Sequence, residues 1–111
     1  MRGINLVIFG GNLGNDPDVR HMQTGGQVTS FSVAVSEKWK GKDGDSKEHT
    51  EWVRVVAYSA TAETCGKYLA KGDEVIVIGR QRTREYEDRD GVNRKVTEVI
   101  ADRVHFLSKK R

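Results

Sequence analysis

Cysteine and histidine are scarce in this sequence. Its 111 residues include one cysteine, Cys65, and three scattered histidines, His21, His49 and His105. A lone cysteine cannot form an intramolecular disulfide, which is typical of proteins in a reducing compartment. Because the histidines have no metal-ligand spacing with one another or with the cysteine, we expect neither a metal centre nor another cofactor.

Long apolar runs are missing too. No segment is long enough to span a membrane, and the first residues lack the apolar run of a secretory signal peptide. We therefore expect a cytoplasmic protein. A chain of 111 residues favours one domain, and neither an internal repeat nor a low-complexity segment divides residues 1–111.

Motifs of phosphate-binding loops and active sites are also absent. The glycine-rich residues 10–17 have neither G-x-G-x-x-G spacing nor a Gly-Lys-Ser/Thr sequence, and they suit a bulge or sharp bend better. No Ser/His/Asp set or paired-carboxylate spacing is present, so we do not expect an enzyme. Basic residues exceed acidic ones by 19 to 16, for a net charge of +3. This excess is compatible with a nucleic-acid partner without establishing one.

Residues 51–58 are the most informative segment that is present. Their β-branched residues predict a strand, and side chains alternate between its two faces. One face is small and aliphatic, as a core layer is. The other sets two aromatic rings around a guanidinium: Trp52, Arg54 and Tyr58. That face suits base stacking and phosphate neutralisation, but the rings could equally be core, with Arg54 reaching the rim.

A second segment, residues 80–86, repeats the pattern. Arg80, Arg82 and Arg84 share one parity, and the series ends in Tyr86. The alternative is a solvated edge strand that its charge protects from aggregation. Since two strands carry aromatic and basic side chains on one face, the sequence favours a nucleic-acid surface.

Between the strands, residues 37–49 predict a loop or a long hairpin. Lysines and glycines surround one large aromatic residue, Trp39. Trp39 could fold back as a hydrophobic plug, but we favour a base-stacking residue in a flexible basic arm. The lysines that we assign to phosphate binding here are Lys38, Lys40 and Lys47.

The remaining segments complete a mostly β pattern. Further strands are predicted at residues 4–9, 28–36, 75–78 and 95–107, with a short helix at residues 60–70. Ser59 is expected to cap the helix, Gly79 to kink a strand, and Cys65 to be a buried hydrophobe on the helix's apolar stripe. Five strands with one helix between the third and fourth fit a closed antiparallel barrel with long hairpins, the order of an OB-fold.

Short segments spread along the chain share the motifs of one known family. They are Gly11-Asn12-Leu13-Gly14, Asp16-Pro17, Arg20-His21-Met22, Gly25-Gly26, Ser36-Glu37-Lys38-Trp39, and residues 50–56, 68–72, 79–84 and 97–99. No single motif is decisive, but their joint order and spacing are highly specific. Over nearly its whole length the chain resembles the bacterial-type single-stranded DNA-binding proteins, the SSB family with an OB-fold.

The resemblance implies a homo-oligomer, usually a tetramer, that wraps single-stranded DNA during DNA replication, recombination and repair. Such a protein is nucleoid-associated in the cytoplasm. The family's stacking positions fall on Trp39, Trp52, Tyr58 and Tyr86. Its phosphate-contacting positions fall on Arg20, Arg54, Lys71, Arg82 and Arg84, to which we add Arg80 and the three lysines above.

Two departures from the family pattern modify these expectations. Val53 stands where relatives often carry His, at a position associated with subunit contacts, so a dimer is an alternative to the tetramer. Relatives continue into a Gly/Pro/Gln-rich linker and an acidic tip that recruits other proteins, whereas this sequence ends in Lys109-Lys110-Arg111. We therefore expect either a shortened chain or a naturally tailless, plasmid-, phage- or organelle-like form, without partners bound through an acidic tail.

The function predicted from the sequence is sequence-independent binding and protection of single-stranded DNA. Two alternatives share the fold. One is a primosomal replication protein that acts mainly through protein partners, and the other is an RNA-binding OB domain.

Overall fold

A computed structural model describes residues 3–108, so the basic end at Lys109, Lys110 and Arg111 lies outside the described residues. The chain forms six strands and one helix within this range. They are β1 (Val7–Leu13), β2 (Asp18–His21), β3 (Gln27–Lys40), β4 (Ser46–Tyr58), α1 (Ser59–Tyr68), β5 (Glu74–Glu87) and β6 (Asn93–Ser108).

The strands close into a barrel. Its order is β1-β5-β6-β4-β3, and β1 pairs with β3 as well as β5, which joins the two ends of the sheet. The β4–β6 pairing is parallel and the others are antiparallel. The predicted five-stranded OB-fold barrel is therefore confirmed. A sixth strand, β2, adds to β3 outside the barrel, and sequence analysis missed it because all its side chains are exposed and show no apolar alternation.

The core consists of the inward side chains of the barrel strands. Phe31 and Val33 on β3 lie in register with Val55 and Val53 on β4, and all four are buried, as the alternation predicted. Val53 is thus a core residue of this chain. The helix packs against one side of this core with Ala62 and Cys65, as expected from its apolar stripe. Burial raises the pKa of the Cys65 thiol to about 11, in agreement with a structural rather than a nucleophilic role.

The helix begins one residue earlier than predicted. Ser59 lies inside it with a positive φ of 54°, and no side chain caps the helix N-terminus, so the predicted Ser59 cap is wrong. The helix is held to the barrel from within: the Thr29 hydroxyl, which is buried, donates to the Ala62 carbonyl at 2.7 Å. This bond links β3 to α1 and so anchors the helix to the barrel.

Residues 37–49 form the long hairpin that was one of the two structures predicted from the sequence. β3 and β4 pair without interruption from Val28 opposite Tyr58 to Lys40 opposite Ser46. The outer half of this hairpin extends beyond the barrel, so its side chains are exposed on both faces. Such a strand carries no apolar alternation, so the sequence could not decide between a hairpin and a loop.

Two glycines allow the barrel to close. A side chain on Gly11 would collide with the backbone carbonyl of Ala34, where β1 passes onto β3. Similarly, a side chain on Gly79 would collide with the carbonyl of Ile100, beside a shift in the β5–β6 register. The kink predicted at Gly79 falls at this register shift. β1 begins at Val7 and runs through the glycines instead of ending before them.

Candidate nucleic-acid interface

Trp52 lies on the outside of the barrel, on β4. Its side chain is 61% exposed, which excludes the alternative that it belongs to the core. The indole lies over Gly14, where a Cβ atom would collide with the ring. The backbone N–H of Gly14 donates to the Ser32 carbonyl at 2.9 Å, which fixes the segment beneath the ring to β3. One ring face is thus supported by backbone, as a base-stacking platform requires.

Beside Trp52, β4, β6 and β5 carry a cluster of charged side chains on the same outward face. At its centre is Glu98 on β6, whose side chain has no exposed surface. Three arginines from the two flanking strands cover it: Arg54 donates to Glu98 at 3.2 Å, Arg82 at 2.8 Å and Arg84 at 2.9 Å. Four residues make up what we call the Glu98 cluster: Arg54, Arg82, Arg84 and Glu98. The net charge of this cluster is +2, since three guanidiniums surround one carboxylate.

The ionisation of Glu98 follows from these contacts. Burial by itself raises the pKa of Glu98, but hydrogen bonds from Arg82 and Arg84 outweigh burial and hold the pKa below its ordinary value. On the other side of the pair, hydrogen bonds to Glu98 and Tyr58 raise the pKa of Arg82. Glu98 is therefore an anion at neutral pH, and Arg82 is a cation.

Both tyrosines that were predicted to stack bases adjoin this cluster. The Tyr58 hydroxyl accepts a hydrogen bond of 2.9 Å from Arg82, whose guanidinium carbon is 5.8 Å from the ring centroid, and the ring is half-buried. Tyr86 is exposed near the outer end of β5, where the guanidinium carbon of Arg84 is 5.7 Å from its ring centroid. Each ring is thus paired with an arginine of the cluster.

A cleft extends from the Glu98 cluster to β2. Arg20 lies at its edge with a side chain that is 80% exposed, and its Nε donates to Asp18 at 3.2 Å. The residues that line the cleft come from five strands and are Asp18, Arg20, Val28, Ser30, Arg54, Val56, Tyr58, Arg82, Arg84 and Glu98. Five of the residues predicted from the sequence thus line one cleft: Arg20, Arg54, Tyr58, Arg82 and Arg84. Trp52, on the same face of β4 as Arg54, and Tyr86, beside Arg84, extend this outward surface.

Sequence analysis did not assign a role to Glu98. The available signal was its position, because Glu98 shares one parity with Val96 and Ile100 and places a carboxylate between these two apolar residues. The sequence predicted the arginines as phosphate-binding groups on two strands, and the structure joins Arg54, Arg82 and Arg84 through this one carboxylate. Arg80 has the same parity but lies apart, with its Nε 4.0 Å from Asp102.

Trp39 and the predicted lysines lie at the outer end of the β3–β4 hairpin. Trp39 is exposed and lies opposite Lys47, and a shallow pocket there is lined by both residues together with Lys38 and Lys40. Because Trp52 pairs with Ala34, the two tryptophans have opposite parity and belong to opposite faces of the β3–β4 ribbon. We call this end of the hairpin the Trp39 region: Lys38, Trp39, Lys40 and Lys47.

Lys71 belongs to neither group. It is exposed in the loop after α1, where its backbone N–H donates to Asp16 at 2.8 Å and that of Gly72 donates to the Leu13 carbonyl at 2.9 Å. These bonds place the Lys71 loop beside the end of β1 and thus near Gly14 below Trp52.

Residues 3–108 contain no group of three or more His, Cys, Asp or Glu side chains arranged to hold a metal ion. A membrane-spanning helix is likewise absent from this range, in which α1 extends for 10 residues.

Comparison with known proteins agrees with this geometry. Among solved structures, the chain is similar to the Plasmodium falciparum SSB in its complex with ssDNA, with a TM-score of 0.88 and 29% sequence identity. The match covers 97% of this chain and 98% of that one. The model of the single-strand binding protein family matches residues 4–107, nearly the whole sequence. The chain therefore belongs to the single-strand binding protein family.

Proposed function

We propose that this protein binds single-stranded DNA without enzymatic activity and with little sequence preference. The observation that carries the proposal is the exposed ring of Trp52, supported by backbone on one side and flanked by the Glu98 cluster on the same face. A similar protein, the Plasmodium falciparum SSB, has been solved in complex with ssDNA.

The binding mechanism combines stacking with phosphate contacts. Bases stack on Trp52, Tyr58, Tyr86 and Trp39, and each stacked base contributes about 1–3 kcal/mol. The arginines of the Glu98 cluster, with Arg20 and Arg80, bind phosphates, as do the lysines of the Trp39 region and Lys71. Since a duplex hides the faces of its bases, single strands bind more tightly, and every base offers a face that can stack.

The proposal extends to the biological role and location. We propose that the protein protects unpaired strands during DNA replication, recombination and repair, and that it does so in the cytoplasm, associated with the nucleoid.

We further propose that the protein is a homo-oligomer, a tetramer or a dimer. Ile4, Leu6 and Ile8 are exposed along the start of the chain, and Ile8 lies opposite half-buried Ile78 on the outside of the barrel. Exposed apolar side chains in such a row fit the same surface of a second copy. Ile8→Ser combined with Leu6→Ser lowers the mass measured by analytical ultracentrifugation, whereas Val92→Ser, at an exposed hairpin tip, leaves it unchanged. An unchanged mass in the double variant argues against this interface.

Tryptophan fluorescence during titration tests the binding proposal. Oligo-dT, oligo-U and a DNA duplex are titrated separately at low and at moderate salt. We expect oligo-dT to quench the fluorescence at the lowest concentration, with an affinity that falls as salt rises because phosphate binding releases counterions. Tighter binding of oligo-U than of oligo-dT indicates an RNA-binding domain instead. If none of the three quenches the fluorescence, the binding proposal is contradicted.

A further inference from the structure

Glu98 is a buried carboxylate in the middle of a surface that otherwise favours anions. Its side chain has no exposed area, although it lies on the outer face of β6, because the arginines of the two neighbouring strands cover it. Burial of a charge is costly unless hydrogen bonds compensate for it, and Glu98 receives them from all three arginines. This one carboxylate thus connects β4, β5 and β6 through side chains.

The nitrogen atoms that contact Glu98 leave other nitrogens available. Arg54 and Arg84 donate from Nε, and within residues 3–108 their terminal amino groups make no further hydrogen bond. Arg82 donates from one terminal nitrogen to both Glu98 and the Tyr58 hydroxyl. The three arginine side chains remain 46%, 41% and 43% exposed, so a ligand can reach them from solvent.

We propose that Glu98 is a positioning residue of the single-stranded DNA interface: it fixes the arginines as one preformed array whose remaining N–H groups bind phosphates. Through Arg82 it also orients Tyr58. This inference rests on the proposed function. An array that is already ordered loses less side-chain entropy when DNA binds than three free arginines would lose.

The alternative role for Glu98 is electrostatic repulsion of DNA, and the two roles predict opposite results for Glu98→Gln. If Glu98 merely repels phosphates, its neutralisation tightens binding and leaves the salt dependence unchanged or steeper. If Glu98 positions the arginines, the substitution weakens binding even though the net charge rises by one. Glu85→Gln is the matched control, because Glu85 lies on β5 with the opposite parity to Arg84, and the substitution changes the net charge equally.

The experiment measures the dissociation constant for oligo-dT at several salt concentrations for wild type, Glu98→Gln and Glu85→Gln. We expect Glu98→Gln to bind about tenfold more weakly, the size of one lost hydrogen bond to a charged group. The slope of log K against log salt, which is negative, should also become shallower by about 0.7 for each phosphate contact that is lost. Glu85→Gln should bind as tightly as wild type or slightly more tightly, with the same slope.

A second variant keeps the test decisive if Glu98→Gln does not fold. Glu98→Asp retains the charge but is one methylene shorter, so it cannot reach all three arginines, and we expect weaker binding with a reduced slope. Circular dichroism verifies the fold of each variant. Unchanged or tighter binding by a folded Glu98 variant overturns the positioning role while leaving the proposed function intact. Failure of wild type to bind oligo-dT overturns the proposed function itself.

Discussion

The Glu98 cluster and the Trp39 region contain similar residue types in different states. Both place basic side chains near an exposed tryptophan. In the Glu98 cluster the basic side chains are arginines, each within 3.2 Å of a shared buried carboxylate. In the Trp39 region the basic side chains are lysines on an exposed hairpin. The Lys47 ammonium lies 3.9 Å from a carboxylate oxygen of Asp43.

The difference indicates a division of DNA binding between two surfaces. Trp52 and the Glu98 cluster form a fixed surface, and the Trp39 region forms an adaptable one. A guanidinium donates several hydrogen bonds in a fixed plane, so it can serve a carboxylate and a phosphate together, whereas a lysine ammonium acts as a point charge on a flexible stem. The fixed surface should determine where the bases and phosphates lie. The Trp39 region should add charge and contact area at a greater entropic cost.

The comparison is tested first by removal of each tryptophan. We expect Trp52→Ala to weaken oligo-dT binding about tenfold to a hundredfold, because one stacked base contributes about 1–3 kcal/mol. Trp39→Ala should have a smaller effect, at the lower end of that range, since its ring lies on an exposed hairpin. Tyr68→Ala removes an exposed aromatic ring on α1 and should leave affinity unchanged. Fluorescence anisotropy of a labelled oligo-dT measures all three, and a larger loss for Trp39→Ala reverses the proposed division.

Gly14→Ala tests whether the support beneath Trp52 matters. A methyl group at Gly14 collides with the indole, so the ring must move away although the stacking residue is still present. We expect weaker binding of oligo-dT than wild type, but stronger than Trp52→Ala. Gly25→Ala is unsuitable as a control because Gly25 has a φ of 87°, whereas Gly3→Ala meets no atom within 4 Å and should bind like wild type. Equal affinity for Gly14→Ala and wild type would mean that the ring needs no fixed orientation.

Much of the fixed surface was predictable from the sequence because it follows from strand periodicity. Alternation along β4 placed Trp52 and Arg54 outward and Val53 and Val55 inward, and the structure confirms these positions. The barrel was predictable for the same reason, since Phe31 and Val33 on β3 show the same alternation.

The features that were missed depend on contacts between strands distant in the chain. Glu98 is 44 residues from Arg54 and 14 from Arg84, so local patterns cannot show that they share a site. β2 was missed, and the sequence left a loop and a hairpin open for residues 37–49, for another reason. Their side chains are exposed on both faces, so no apolar alternation indicates a strand.

Equal losses of charge in the two regions should have unequal effects. Arg84→Gln and Lys40→Gln each remove one positive charge, and we expect each to reduce the salt slope by about 0.7 if it removes one phosphate contact. At a fixed moderate salt concentration, however, Arg84→Gln should cost more affinity because it also disrupts the Glu98 cluster. Lys67→Gln on α1 provides the control for charge alone. If Lys40→Gln costs as much affinity as Arg84→Gln, the ordered array gives no advantage over flexible lysines.

Acid pH should destabilise the Glu98 cluster to a smaller but measurable extent. The pKa of Glu98 lies below its ordinary value of 4.5 in the folded protein, so between these two values the unfolded chain binds a proton that the folded chain does not. The free energy of unfolding therefore rises with pH across this window, and the contribution of Glu98 is lost as pH falls through its folded pKa. Wild type should show a Tm that decreases as pH falls below about 5, and Glu98→Gln should have a lower Tm at neutral pH with a shallower decrease. Glu48→Gln removes an exposed carboxylate on β4 and should leave the profile like that of wild type. A profile unaltered by Glu98→Gln would mean that the Glu98 cluster contributes little to the stability of the barrel.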